Sequence, residues 1–280
     1  DRTFVCKFLQ FNNGQLFDEI YHMAADMGGA DFVFTGKNDA DILTNSMQIT
    51  INVLSEQNNL NTNLNINKTK IFYASSACVY PEHNQLEPNN PDCRESTAYP
   101  ANPDSNYGWE KIFGERIFLA YAKNYNMPVR IARYHNVYGA GSTYSGGREK
   151  APAALCRKVL TSNGTIEIYG DGNQTRSFLY IDDAVDATLA LMESDYHQPI
   201  NIGSEEMISI NNFVDMIASI EHKQIEKIHQ PGPLGVRGRN SNNDVIRSVL
   251  NWEPKISLRE GITRTYLFIQ QELSKRANKI

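Results

Sequence analysis

Tyr107 and Lys111 stand four residues apart in Tyr107-Gly108-Trp109-Glu110-Lys111, a spacing that puts both side chains on one face of a helix. A phenol near a helix start can face a ligand. An ammonium beside it favours the phenolate and is expected to draw its pKa below about 10. Such a group can take the proton of a sugar hydroxyl while a hydride leaves the same carbon. Ser76, at the end of an apolar run, could be a turn hydroxyl, but its place at a strand end favours a site. A Tyr and a Lys at this spacing also occur by chance, so the reading depends on what surrounds them.

Asp104, Ser105 and Asn106 precede the pair as candidate N-caps, and Ile112, Phe113, Ile117, Ala120 and Tyr121 recur near helical spacing after it. Upstream, residues 17–23 read as a buried strand ending at Ala24-Ala25-Asp26-Met27-Gly28-Gly29. Thr44 to Gln57 suits a helix. Asn58 to Asn67, Asn-rich with little charge, reads as an exposed loop insertion. Residues 70–74 form the next strand, ending at Ser75-Ser76-Ala77-Cys78-Val79-Tyr80-Pro81, and residues 88–103 a proline-rich loop. A third strand, residues 129–134, ends at His135-Asn136-Val137-Tyr138-Gly139. This alternation predicts an α/β fold with a parallel sheet wound on both sides, whose ligands gather at the carboxyl ends of the strands.

The second half predicts a helix over 149–161 and a short strand over 166–169, closed by Gly170-Asp171-Gly172 as a turn rather than a phosphate loop. Asp182 is positioned to cap a helix reaching about Glu193. A further strand ends at Asn201-Ile202-Gly203, and Ser209 can cap a helix through Ser219. Residues 232–239 are a Gly- and Arg-rich loop, and Ser257-Leu258-Arg259-Glu260 is a capping box for the last helix. His135 is read as structural.

Of 280 residues, 41% are hydrophobic and 21% charged, the balance of an ordinary globular protein with one large or two modest domains. No apolar run reaches the roughly 18 residues of a membrane span, and no signal-peptide pattern is read, so no membrane partner is expected. Cys6, Cys78, Cys93 and Cys156 show no zinc spacing and no disulfide framework. No metal is therefore expected, and a reducing, cytoplasmic setting is the default. A net charge of −5 argues against nucleic-acid binding. Against that balance, Arg148, Lys150, Arg157, Lys158, Arg176, Arg237 and Arg239 crowd the second half. Such a cluster suits a small anionic ligand, and forked guanidinium groups bind a nucleotide diphosphate well.

Ser76 with Tyr107-x-x-x-Lys111 resembles the triad of short-chain dehydrogenase/reductases. The resemblance goes further. Residues 24–29, 73–82, 146–154, 170–178 and 231–241, running from Tyr73-Ala74-Ser75-Ser76-Ala77-Cys78 to Val236-Arg237-Gly238-Arg239-Asn240-Ser241, are similar to the GDP-mannose 3,5-epimerase family, an extended branch of that superfamily. It covers the chain from Ala24 to about Ile269 and implies a Rossmann-like sheet with a smaller α+β substrate domain. The expected division is 1–147 for NAD and 148–280 mainly for the nucleotide sugar, with some late segments returning to the first part.

The resemblance also implies tightly held NAD, recycled in each turnover, GDP-mannose or a related nucleotide sugar as substrate, and a homodimer. Cys78 and Lys150 match the family's acid–base pair for carbons 3 and 5. A ketone at carbon 4 acidifies both neighbouring C–H bonds, so a base on one face and an acid on the other invert a centre through an enolate. A thiolate can serve as base when positive charge stabilises it, and a lysine as acid when desolvation lowers its pKa. Residues matching Gly28, Ser76, Ala77, Cys78, Asn136, Glu149, Lys150, Ala151, Lys158, Gln174, Thr175, Arg176 and Arg239 line the substrate site in the family. Asp1, Ala24, Ala25, Tyr107 and Lys111 match the cofactor side.

One departure is large: the superfamily's G-x-x-G-x-x-G fingerprint is not found, and Gly14 is the only glycine before Ala24. The sequence resembles the family with its amino-terminal portion missing, and the expectation is weak NAD binding. Three alternatives follow: a GDP-fucose synthase-like epimerase-reductase, a simple 4-epimerase that would not need Cys78 or Lys150, and an inactive chain that only binds a nucleotide sugar or a partner subunit.

Overall fold

The structure, a computed structural model, describes residues 2–11, 15–64 and 69–277. Asp1 and Gly14 lie outside them. Four parallel strands form the main sheet, in the order Pro199–Ile202, Val129–Tyr134, Lys70–Ser76 and Glu19–His22. Lys70–Ser76 shows why both sides are covered. Ile71 and Tyr73 face one layer with Leu54, Phe118, Val129 and Ile131. Phe72 faces the other with Ala132, Ala187, Leu191 and Ile200. Period-two alternation between two apolar faces is what a doubly wound sheet requires.

The helices Asp39–Leu64 and Asn106–Tyr125 supply the first layer, and Ile181–Glu193 and Asp244–Leu250 the second. The fold is thus a Rossmann-like α/β sheet. The strand Pro199–Ile202 pairs with Val129–Tyr134, so the chain returns to the first sheet after residue 148. A separate core gathers Ala153, Cys156 and Val159 of the helix Ala151–Thr161 with Phe213 and Ile217 of Ile210–Ala218, and Ile262 and Tyr266 of Leu258–Ala277. Small sheets flank it: Thr165–Tyr169 beside Glu226–Gln230, and Thr175–Ser177 between Met207–Ser209 and Gly238–Arg239.

The structure corrects several expectations. Asn58 to Leu64 is helix rather than loop, continuing Asp39–Leu64, while residues 65–68 lie outside the described residues. Asparagine is a poor helix former because its side chain competes for the backbone. Here Gln57 Nε2 instead donates to Asn61 Oδ1 at 2.9 Å and to Thr69 Oγ1 at 3.0 Å, and Leu60 is buried, so tertiary contact overrides propensity. The strand expected over 17–23 is shorter, Glu19–His22. It borders the described sheet, so Tyr21 and Met23 are exposed. Ser105 is the N-cap of the Tyr107 helix, its Oγ accepting from Gly108 N at 3.2 Å, which leaves Asp104 free for other work. Tyr180, not Asp182, takes the N-cap position of Ile181–Glu193. Ser209 and Ser257 cap as expected, accepting from Asn212 N and Glu260 N. No helix among the described residues is long and apolar enough to cross a membrane.

Candidate active site

The three strands 19–22, 70–76 and 129–134 end at one rim, and a cleft of about 820 Å³ opens there against the second core, a size that suits a small-molecule ligand. The first wall is built on close packing. A Cβ at Gly108 would lie 2.2 Å from Cys78 O, so glycine at the third helical position lets the Tyr107 helix press against the turn Ala77–Val79. That turn starts at Ser76, whose Oγ accepts from Cys78 N at 3.2 Å. Ser76, Cys78, Tyr107 and Lys111 therefore share one wall. The opposite wall carries Glu149, Lys150, Ala151, Arg157, Lys158, Gln174 and Arg176. A Cβ at Gly29 would lie 2.1 Å from Glu149 O, so the two walls meet backbone to backbone at that point.

Electrostatics differ from the sequence reading at Tyr107. The phenol is buried, and its pKa is raised, first by desolvation and then by Cys78 and Glu110; the hydrogen-bonding Ser76 hydroxyl works the other way. Lys111 does not reverse this. Its Nζ is 3.4 Å from Glu110 Oε2 and 5.6 Å from the Tyr107 ring centroid, so its charge is largely committed to a carboxylate. Burial lowers the Lys111 ammonium pKa, with Glu110 opposing. Lys150 lines the cleft with its side chain still open to solvent. Desolvation lowers its pKa, Cys78 opposes this, and Lys111 adds to it. Burial and the neighbouring Arg239 push Arg176 down to about 10.

Gly28, Ala25, Ala77 and Asn136 line the cleft along with the wall residues above, and so does Arg239. Asn136 is held at a positive φ of 46° with its Nδ2 on Ser177 O at 2.8 Å. Two expected residues are elsewhere. Ala24 is exposed outside the cleft wall, and Thr175 is buried with its hydroxyl on the Pro88 carbonyl. Asp1 lies outside the described residues. Of the basic cluster, Arg148 is held by Asp26 at 3.0 Å and the Phe32 ring, and Arg237 forks onto Asp171 at 3.0 Å through both nitrogens. Neither lines the cleft. His135 is structural, buried with Nε2 2.9 Å from Asn201 Oδ1 and pushed down to about 3 by burial. Sequence reading assigned Gln85 no role and Asp104 only that of a candidate N-cap. They hold Arg239, through Nε to Gln85 Oε1 at 2.6 Å and Nη2 to Asp104 Oδ2 at 3.1 Å. No local pattern announces contacts spanning 154 and 135 residues.

The sequence profile of the NAD dependent epimerase/dehydratase family matches residues 7–203. The chain belongs to this family. It is 45% identical to GDP-mannose 3,5-epimerase of Arabidopsis thaliana over 94% of this chain and 67% of that protein. It is 44% identical to GDP-mannose 3,5-epimerase 1 of Oryza sativa subsp. japonica over 95% and 68%. The chain thus spans about two thirds of the length of these relatives. Among solved structures, UDP-glucose 4-epimerase of Thermotoga maritima with UDP-glucose superposes with a TM-score of 0.82 at 24% identity, covering 98% of this chain and 82% of that one. UDP-glucuronic acid 4-epimerase of Bacillus cereus, in complex with UDP-glucuronic acid and NAD, superposes with a TM-score of 0.74 at 28% identity, covering 91% and 76%.

The family's cofactor is NAD, and the cleft fits one end of it. Tyr21, Met23, Ala25, Ala74 and Tyr134 make a largely apolar trough beside Tyr107 and Lys111, suited to a flat ring and a ribose. A pyrophosphate usually rests on backbone N–H groups of a glycine-rich turn opening a helix. Among the described residues, the glycines that join a strand of the main sheet to a helix in this way are Gly28 and Gly29, between Glu19–His22 and the four-residue helix Ala30–Val33.

Proposed function

We propose that this chain carries the chemistry of a GDP-mannose 3,5-epimerase, with residues 1–147 serving the cofactor and 148–280 mainly the nucleotide sugar. One observation carries the reading: a thiol and a lysine from different elements, Cys78 and Lys150, line one cleft together with Ser76, Tyr107 and Lys111. A 4-epimerase has no work for that second pair. The substrate class rests on the Arabidopsis and Oryza relatives.

NAD, when held beside Tyr107 and Lys111, would supply the acceptor for the carbon-4 hydride and the donor that restores it. Tyr107 takes the carbon-4 hydroxyl proton on its phenolic oxygen, with Ser76 orienting that oxygen. Tyr107 acts as the phenolate, its own proton having first passed to solvent in the cleft, and the raised pKa makes that phenolate a strong acceptor; Lys111 Nζ, 5.6 Å from the ring, adds only the part of its charge that Glu110 leaves free. With a ketone at carbon 4, Cys78 Sγ removes the proton from a neighbouring carbon, and the electron pair moves to the ketone oxygen as an enolate. Lys150 Nζ then gives a proton to the other face of that carbon, inverting it. Gly28, Ala77, Asn136, Glu149, Ala151, Lys158, Gln174 and Arg176 shape the nucleotide-sugar side. Lys158 is held there by Glu167 O at 2.8 Å and Gln174 by Tyr169 O at 3.0 Å. All four cysteines are free, which suits a reducing compartment, the cytoplasm. A second copy of the chain covers Trp109 and Phe113, neighbours at i,i+4 on the outer face of the Tyr107 helix that are 44% and 51% exposed.

The test is one experiment. The purified chain is mixed with GDP-mannose and with NAD raised until titration shows its weak site filled, in heavy water; NMR follows deuterium at carbons 3 and 5, and light scattering gives the mass of the same sample. Deuterium at both carbons in a particle of twice the chain mass is expected. Inversion at carbon 4 alone, or binding without exchange, refutes the 3,5-epimerase reading, and a single-chain mass refutes the dimer.

A further inference from the structure

Cys78 shares its cleft with cations from separate elements. Arg176, Lys111 and Lys150 interact with it through their fields, and the Tyr107 phenol is the neutral titratable neighbour. Arg239 alone among these cations hydrogen-bonds the sulfur, its Nη1 donating to Sγ at 3.1 Å. The guanidinium is 5% exposed and committed on every side. Nε donates to Gln85 Oε1 at 2.6 Å and Nη2 to Asp104 Oδ2 at 3.1 Å. These partners are themselves held. The Gln85 amide nitrogen donates to Tyr80 O at 3.0 Å and Pro81 O at 3.2 Å, which turns its oxygen toward Arg239. Asp104 Oδ1 accepts from the Ser105 hydroxyl at 3.2 Å. A planar fork pinned at two edges has its third edge aimed by geometry.

We propose that Arg239 is a positioning residue for Cys78, stabilising its thiolate and aiming it into the cleft, while Gln85 and Asp104 hold the guanidinium in place. The inference rests on the reading of Cys78 as a proton acceptor and gives it a direction. Cys78 enters the reaction as the base, and Lys150 enters as the ammonium that returns the proton.

The test reads the sulfur directly and uses neither sugar nor cofactor. Iodoacetamide alkylation of the Cys78 peptide is followed by mass spectrometry across pH, in the full chain carrying Cys6→Ser; Cys93 and Cys156 are buried. Arg239→Gln should slow alkylation at neutral pH by at least about tenfold and move the profile to higher pH, because an opposite charge at this range shifts a pKa by about 1–3 units. Arg239→Lys should recover part of the loss. Arg239→Gln alone leaves the buried Asp104 carboxylate unpaired, which can unfold the chain. The double variant Arg239→Gln/Asp104→Asn removes both charges and must show the same displacement while still melting cooperatively. An unmoved profile in the folded double variant overturns the proposal. A moved profile in a chain that exchanges no deuterium sinks the epimerase reading alone, and the reverse pair of results sinks only the role of Arg239.

Discussion

Lys111 and Lys150 bring the same charge into one cleft from opposite walls, and their surroundings treat them differently. Lys111 has a carboxylate 3.4 Å away on the adjacent residue, Glu110, and both side chains are sealed from solvent at 4% and 0% exposure. It also lies 5.1 Å from the Tyr73 ring centroid. Lys150 occupies the N-cap position of Ala151–Thr161 without a side-chain capping bond, where the helix end disfavours a cation. Among the described residues, Cys78 is the group that works to keep it charged, and Lys111 works against it. Burial lowers the ammonium pKa of both. What differs is the setting: Lys111 is sealed in beside a carboxylate that opposes the shift, while Lys150 is open to solvent and has no carboxylate partner among the described residues.

The contrast can be broken most directly at Lys150. Lys150→Ala should cut deuterium exchange by about 10²–10⁴-fold, the usual contribution of a general acid, with the urea midpoint close to that of the parent chain. In the parent, the pKa of Lys150 is lowered, so its ammonium is lost as pH rises through a value below the ordinary 10.5. Exchange should therefore fall on the alkaline side before that pH. A Lys150→Ala chain that exchanges at the parent rate, or one that has lost its fold, removes the distinction.

At the paired lysine the expected loss is in stability. Glu110→Gln leaves the Lys111 ammonium buried without its carboxylate, and breaking a buried pair costs about 3–5 kcal/mol. Urea denaturation of this variant beside Lys150→Ala sharpens the comparison, since only Glu110→Gln should lower the midpoint strongly. Equal midpoints would mean that the pair is not what holds this wall.

The smallest effect is expected at Gly108→Ala. Its methyl would meet Cys78 O at 2.2 Å and Pro103 Cβ at 2.7 Å, and the first of these is backbone. Overpacking of this kind costs about 1–3 kcal/mol, and it should slow exchange by moving Cys78 while leaving the Lys150 wall in place. A variant with parental stability and exchange would show that the first wall yields more easily than its packing implies.

Much of the frame was legible because it depends on neighbours in sequence. The apolar runs ending at Ser76 and Tyr134 became the central strands, and Ser209 and Ser257 capped the helices they precede. The Asn-rich stretch after Gln57 misled because its helix is held partly by Thr69, just before the next strand. The basic cluster was legible as composition but not as a site. Arg148 and Arg237 face Asp26 and Asp171, while Arg157 and Lys158 line the cleft.

Residue type and spacing by themselves determined the parallel α/β plan, the Tyr107–Lys111 helix face and the match to a family of NAD-dependent epimerases and dehydratases, because periodicity, capping and motif are local properties of a chain. Tertiary structure alone decided the electrostatic state of the site. Burial raised the Tyr107 pKa where the neighbouring lysine alone would have lowered it, since desolvation depends on what folds over a group and not on what flanks it. It also brought Gln85, Asp104 and Arg239 together at Cys78. Residues that far apart in the chain meet only where packed backbone, such as the contact at Gly108, leaves one geometry open.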